Sequence, residues 1–272
     1  MKMTKKILLG AAALVAALAF VGCGAGDDDP NKMIKGNNSS YSIDYTNETD
    51  DTSRGYNTTA QKHAGALVKI SIADVSTDAD PNKKLGGVMG IIFGLEGNEE
   101  DKNAKDFFVA GVRKNGTYYV SKYTGVVDIN ANNFGAPTDA KQGKWSSDGE
   151  NGEKEFAYVE LKSENKITLN SEDDYKSVYF YYVCTEEGTY EWKFLNVVST
   201  EKTKGLTDTE FKNLVFDPST VLAEGTISRE DTGYTGLEQR KLAVYANVYA
   251  QGTLVGNWDI VGTYKEAEII EE

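Results

Sequence analysis

Three observations predict an all-β fold. Strand-length runs rich in β-branched and aromatic residues recur along the chain, turn residues separate them, and one segment alone carries helix-start chemistry. Val68, Ile70 and Ile72 alternate with Lys69 and Ser71, the pattern of a half-buried strand with one wet face. Gly87–Leu95 (GVMGIIFGL) is a near-continuous apolar run with internal glycines, as expected of a central strand passing close to another layer. Phe107–Arg113 and Thr117–Tyr123 flank Asn115-Gly116, whose left-handed preferences suit a type I′ hairpin turn. A second hairpin is expected between Val178–Thr185 and Thr189–Val197 across Glu186-Glu187-Gly188. A third is expected between Leu242–Ala250 and Asn257–Tyr264, with glycines at 252, 256 and 262. The one short helix is placed at Asp208–Leu214: Thr207 and Glu210 form a capping box, and Leu206 and Phe211 can staple it. Polar loops are expected at Glu96–Lys105, Ala136–Glu153 and Ser199–Gly205, where recognition is easiest to build.

The amino terminus reads as a targeting segment. Lys2, Lys5 and Lys6 precede an apolar run, Ile7–Val21, too short for a comfortable membrane span, which ends in Phe20-Val21-Gly22-Cys23. That junction resembles a bacterial lipobox, with Phe20 where Leu is usual. The resemblance implies cleavage before Cys23, diacylation of its thiol (palmitate-type chains) and acylation of the new amino terminus. An ordinary signal peptide with a chance cysteine is the alternative. Residues 1–22 are thus the signal peptide. Residues 23–61, rich in Asn, Ser, Thr, Asp and Gly, hold too little apolar surface to offset ordering and read as a lipidated flexible tether. Tyr41–Tyr45 is the piece best suited to lie along the globule as an edge strand. Residues 62–272 are assigned to one sandwich domain, expected to be stable without the tether.

Charge and cysteine usage narrow the function. Loss of Lys2, Lys5 and Lys6 leaves 26 basic against 42 acidic side chains, a net of −16, which argues against nucleic acid and anionic lipid surfaces as direct partners. With Cys23 acylated, Cys184 is left without an intramolecular partner; it ends a strand-like run and reads as a packed thiol. Thiol catalysis needs a base, and the single histidine, His63, lies at the tether edge.

GVMGIIFGLEG…KDFFVAGVRKNGTYYVSKYTGV (Gly87–Val126) and LAVYANVYAQGTLVGNWDIVGTY (Leu242–Tyr264) resemble strands of the concanavalin A-like (laminin G-like) jelly-roll β-sandwich. The lipobox and Asn/Asp-rich tether are similar to those of spirochaetal, particularly treponemal, surface lipoproteins. The resemblance implies an all-β jelly roll, anchored to the bilayer at the outer membrane or cell surface. That fold serves lectins, adhesins and glycoside hydrolases alike, so function must come from a site.

A retaining glycosidase needs two carboxylates about 5–5.5 Å apart. Glu153, Glu155 and Glu160 come nearest, but 155 and 160 point to opposite faces of a regular strand, so no catalytic residue is assigned. Along Leu242–Ala250, alternation puts Tyr245, Asn247 and Tyr249 on one face. With Trp258 from the strand expected to pair beside them they make a stacking platform for a saccharide or peptide; burial of these rings in a core is the alternative. Trp192, between Tyr190 and Phe194, reads as core. Asp128, Asn130 and Asn132, with Asp139 twelfth, have calcium-loop oxygens at alternate positions, so structural calcium is the one cofactor suggested, against an ordinary Asn-rich turn. The expected function is non-catalytic binding of a saccharide or of a host or envelope protein by a membrane-anchored lipoprotein. The alternative is a glycan-processing enzyme or an accessory component of an envelope assembly.

Overall fold

The computed structural model describes residues 33–50, 52–74, 85–95, 103–128, 157–159, 164–199, 203 and 205–265. In them the chain runs through β1 (Ile34–Gly36), β2 (Ser40–Thr46), β3 (Ser53–His63), β4 (Gly65–Ala73), β5 (Gly87–Leu95), β6 (Asn103–Val112) and β7 (Tyr118–Asp128). It continues through β8 (Ala157–Val159), β9 (Asn170–Glu172), β10 (Tyr175–Cys184), β11 (Tyr190–Leu195), β12 (Val221–Ile227), β13 (Arg240–Val248) and β14 (Thr253–Tyr264). The first sheet has the order β1-β2-β14-β4-β10-β11-β12, with β9 also on β10; the second has β3-β13-β5-β6-β7-β8. The chain changes layer between β2 and β3, β3 and β4, β4 and β5, β8 and β9, β12 and β13, and again between β13 and β14, so the all-β jelly-roll sandwich expected from the sequence is the architecture observed.

Alternation builds the core between the layers. From the second sheet Met89, Ile91, Phe93, Phe108, Ala110, Leu242, Val244 and Ala246 point inward, and from the first Val68, Ile70, Phe180, Tyr182, Tyr190 and Phe194 meet them. Phe93 stacks on Tyr182 at 4.6 Å and takes the edge of Tyr190 at 5.2 Å, joining the sheets through quadrupole-matched ring contacts. Trp258 of β14 crosses the same space and donates its indole N–H to the Gly90 carbonyl of β5 at 2.9 Å. Trp192 lies in this core, and a Cβ on Gly225 of the neighbouring strand would sit 2.5 Å from its ring. Cys184 is buried, and burial raises its thiol pKa.

Two of the three expected hairpins form, between β6 and β7 and between β10 and β11. The first turn is not type I′. Gly116 alone takes a left-handed φ (85°) while Lys114 and Asn115 keep negative φ, and Gly116 N–H donates to Arg113 O. Gly188 repeats this arrangement (φ 80°), donating to Thr185 O, so both hairpins use a three-residue loop closed by a left-handed glycine. The third hairpin is corrected. A turn does close at Tyr249–Gly252, but β13 pairs with β3 and β5 while β14 pairs with β2 and β4. Both edges of each strand are already taken, so the turn steps between layers.

The tether assignment is corrected as well: β1, β2 and most of β3 lie within residues 23–61, and the 61/62 boundary falls inside β3. Tyr41–Tyr45 belongs to β2, which is not at the edge; β1 covers it. Ile34, Tyr41 and Ile43 are buried, and asparagines fix the rest. Asn47 Nδ2 donates to Tyr249 O at 3.0 Å, Asn57 Nδ2 to Ile34 O at 3.2 Å, and Asn38 Oδ1 accepts from Ala60 N–H at 3.1 Å. The wet face expected of β4 is mostly dry, because α1 (Asp208–Lys212) and the chain following it cover it. There Tyr181 packs against Phe211 and Phe216 beside Leu67, leaving Lys69 to reach Glu172 at 2.5 Å. The Thr207–Glu210 capping box of α1 is present. A second helix, α2 (Arg229–Thr232), was not expected; Ser228 caps it and Gly233 ends it with φ 71°.

Cys23, Asn130, Asn132, Asp139, Glu153, Glu155 and Glu160 lie outside the described residues, and of Asp128 only the backbone, ending β7, is described.

Candidate functional site

The second sheet carries a further apolar cluster on the face turned away from the sandwich core: Val88, Ile92, Leu95, Phe107, Val109, Tyr119, Ala243 and Tyr245, with Tyr56 and Tyr249 packed against it. Register sets the arrangement. Tyr56 of β3 lies opposite Tyr245 of β13, Tyr245 opposite Gly90 of β5, Gly90 opposite Gly111 of β6, and Gly111 opposite Tyr119 of β7. The two glycines leave a trough between the tyrosines, and the Tyr119 ring lies in it. A Cβ on Gly111 would fall 2.5 Å from Cε1 of that ring. In the adjacent row Arg54 lies opposite Asn247, and Asn247 opposite Val88, while Arg113 follows β6 on the same face.

Alternation along β13 therefore does bring Tyr245, Asn247 and Tyr249 to one face, but not as an open platform. Tyr245 is 0 % exposed and Asn247 8 %, with Tyr249 half-buried. Trp258 is removed from the group altogether, since β14 belongs to the other sheet and its ring fills the sandwich core. Tyr245 is the floor of the site, and burial raises its phenol pKa against the opposing pull of Arg54. Half-buried Arg54, Tyr56, Arg113 and Tyr249 form the rim. The Arg113 guanidinium sits 5.4 Å from the centre of the Tyr249 ring, a cation–π contact; burial raises the Tyr249 pKa while Arg113 opposes it.

Four members of this site escaped the sequence reading. Arg54 and Tyr56 lie in β3, within the polar stretch whose composition suggests a tether. Tyr119 and Arg113 belong to the hairpin recognised as such, and alternation from Gly111 across to Tyr119 was the signal available for them.

The chemistry of the face is donor-rich. Among its described residues there is no carboxylate, although the chain carries a net charge of −13. The Nε of Arg54, the Nε of Arg113 and Oδ1 of Asn247 are buried and have no hydrogen-bond partner. A guanidinium binds a carboxylate side-on through Nε and one Nη, so an unpaired Nε is one of the two donors such a contact uses, while the same guanidinium groups hydrogen-bond the side chains of Tyr245 and Tyr249.

No family model matches the chain, and no curated protein matches it in sequence. Among solved structures it is similar to a legume lectin-like domain from Entamoeba histolytica, at 9% identity over 83% of this chain and 84% of that one, with a TM-score of 0.39. It is also similar to the CBM2 module of the evolved Dit of Lactobacillus casei BL23 phage J-1, at 6% identity over 86% of this chain and 77% of that one, with a TM-score of 0.31. At these scores the fold of this chain rests on its own sheet order, and nothing about its ligand follows from either protein.

Proposed function

We propose that the sandwich is a non-catalytic saccharide-binding domain, held at a bacterial membrane through acylated Cys23, and that it binds an acid-bearing glycan on the outward face of the second sheet. One observation carries the reading: the Nε atoms of Arg54 and Arg113 and Oδ1 of Asn247 are held buried without partners beside tyrosine rings. Leaving buried polar groups unpaired costs about 1–3 kcal/mol each, and a ligand that pairs them recovers this. Sugar carboxylates or sulfates match the guanidinium edges, ring hydroxyls match the Asn247 amide, and the rim tyrosines offer faces to sugar C–H surfaces.

A glycan array probed with the soluble domain tests this, comparing uronate-, sialate- and sulfate-bearing glycans with neutral ones. Binding to acidic glycans is expected, weakened about ten- to a hundredfold by Arg54→Ala or Arg113→Ala, the equivalent of roughly 1.5–3 kcal/mol for a charge-assisted contact, at unchanged melting temperature. Equal binding of neutral and acidic glycans, or indifference to both substitutions, would refute it.

A further inference from the structure

A second feature lies apart from that face. The β1–β2 turn, the end of β3 and the C-terminal half of β14 enclose a cleft of ≈ 240 Å³, lined by Asn38, Ser39, Thr59, Gln61, His63, Ile260, Gly262 and Thr263. Because β3 belongs to the second sheet and β14 to the first, the cleft sits at the seam between the layers. We infer that it is a separate binding site for one neutral, hydroxyl-rich ring, the size and chemistry of a single monosaccharide unit.

Volume sets the scale of the occupant. At a liquid share of about 30 Å³ per molecule the cleft holds roughly eight waters, less than the ~300 Å³ at which drug-sized pockets begin. Its lining sets the chemistry, being amides, hydroxyls, one imidazole and the aliphatic Ile260, with no charged side chain. Several of these groups have capacity to spare. Asn38 uses Oδ1 on Ala60 N–H, which leaves its Nδ2 donors to the cleft. The Thr59 hydroxyl faces the carbonyls of Leu242 and Gln61, both at 3.0 Å, so its proton is committed and its lone pairs accept.

His63 is the second, independent observation. It is 7 % exposed, and its Nδ1 has no hydrogen-bond partner. Burial, reinforced by the positive charge of Lys265, holds the imidazole pKa down to about 4, so at neutral pH the ring offers one donor and one acceptor and no charge. Such a ring pairs with a hydroxyl, which also gives and takes. An anion would find no guanidinium or ammonium in the lining, whereas a polyol finds complementary groups around it and the side chain of Ile260 against its C–H face.

Because His63 is the single histidine in the chain, its imidazole proton resonances report on the cleft alone. The experiment titrates glucose, galactose, N-acetylglucosamine and mannose into the folded domain at pH 7 and follows the His63 Hε1 signal. A saturable shift with at least one of these sugars is expected, and Gln61→Ala, whose side chain lines the cleft, should weaken it at least tenfold at unchanged melting temperature. The Arg54→Ala/Arg113→Ala protein should give the same His63 response, so this site and the glycan face fail or stand separately. Absence of a saturable shift with all four sugars would overturn the inference, as would a shift that survives Gln61→Ala undiminished.

Discussion

Lowering the pH below neutrality should destabilise the fold through His63 before the carboxylates begin to act. The unfolded imidazole titrates near 6.5, and burial in the folded chain holds it down to about 4. Between these values the unfolded chain binds more protons than the folded one, so stability falls as the pH falls. The contribution of the neutral ring is fully present above about pH 6.5 and lost as the pH approaches 4. A difference of about 2.5 units at 1.36 kcal/mol each sets a ceiling near 3.4 kcal/mol; water reaching the ring edge through the cleft trims this to ~2–3 kcal/mol. The perturbation is His63→Gln, and the assay is urea unfolding of both proteins at pH 7 and at pH about 4.5. Carboxylates held low by hydrogen bonds, Asp74 by Lys114 and Glu172 by Lys69, weaken with acid in both proteins and cancel in the comparison. The wild type should lose ~2 kcal/mol more than His63→Gln over this interval, measured as the shift in urea midpoint times m. Equal losses in the two proteins, or a His63 proton resonance titrating at 6 or above, would refute the reasoning.

Truncation of Ile43, buried in β2, should cost about 2–5 kcal/mol in urea unfolding; an unchanged midpoint would mean that the amino-terminal strands contribute nothing to the fold. At high pH the order reverses for acids raised by burial. Tyr41 and Tyr234 are pushed up to about 12, so stability present below pH 10 is lost above it, and absorbance titration should show a set of the 16 tyrosines ionising only with unfolding. Smooth ionisation of all of them near pH 10 with the fold intact would contradict that burial. Cys23→Ser should move the protein from the detergent phase to the aqueous phase in Triton X-114 partition, and continued partitioning into detergent would remove the lipid anchor from the proposed function.

Turn chemistry was the most legible part of the fold, because Gly116, Gly188 and the Thr207–Glu210 box act through neighbours in sequence. The left-handed glycine was legible too, but not the turn type, which depends on how Lys114 and Asn115 divide the reversal between them. Pairing across the sandwich was hidden. The Tyr249–Gly252 turn looks the same locally whether it folds β14 onto β13 or sends it to the other layer, and competition from β2, β3, β4 and β5 decides. Composition misjudged residues 33–61 for a related reason: three buried side chains and a few asparagines suffice to hold β1 and β2, while the outward positions keep the average polar. Of the candidate site, alternation along β13 gave the shared face, but whether it was open depended on partners in β3, β6 and β7 that no single strand records.

The crossing from β13 to β14 also bears on when this protein can fold. β13 joins β3 to β5, and β14 joins β2 to β4, so among the described strands the two made latest are interior, one to each layer. Until they arrive, strands made two hundred residues earlier have unfilled edges, as Thr253–Asp259 closing on Ser40–Thr46 shows. Such pairing delays the entropic return of loop closure until β13 and β14 have been made, and long-range pairing of this kind folds slowly. A chain ending before residue 240 would lack an interior strand of each sheet, so loss of β13 and β14 would leave β3 and β2 without their partners rather than merely shorten the sandwich. A nascent chain is thereby kept from closing the sandwich until residues 240–264 have been made.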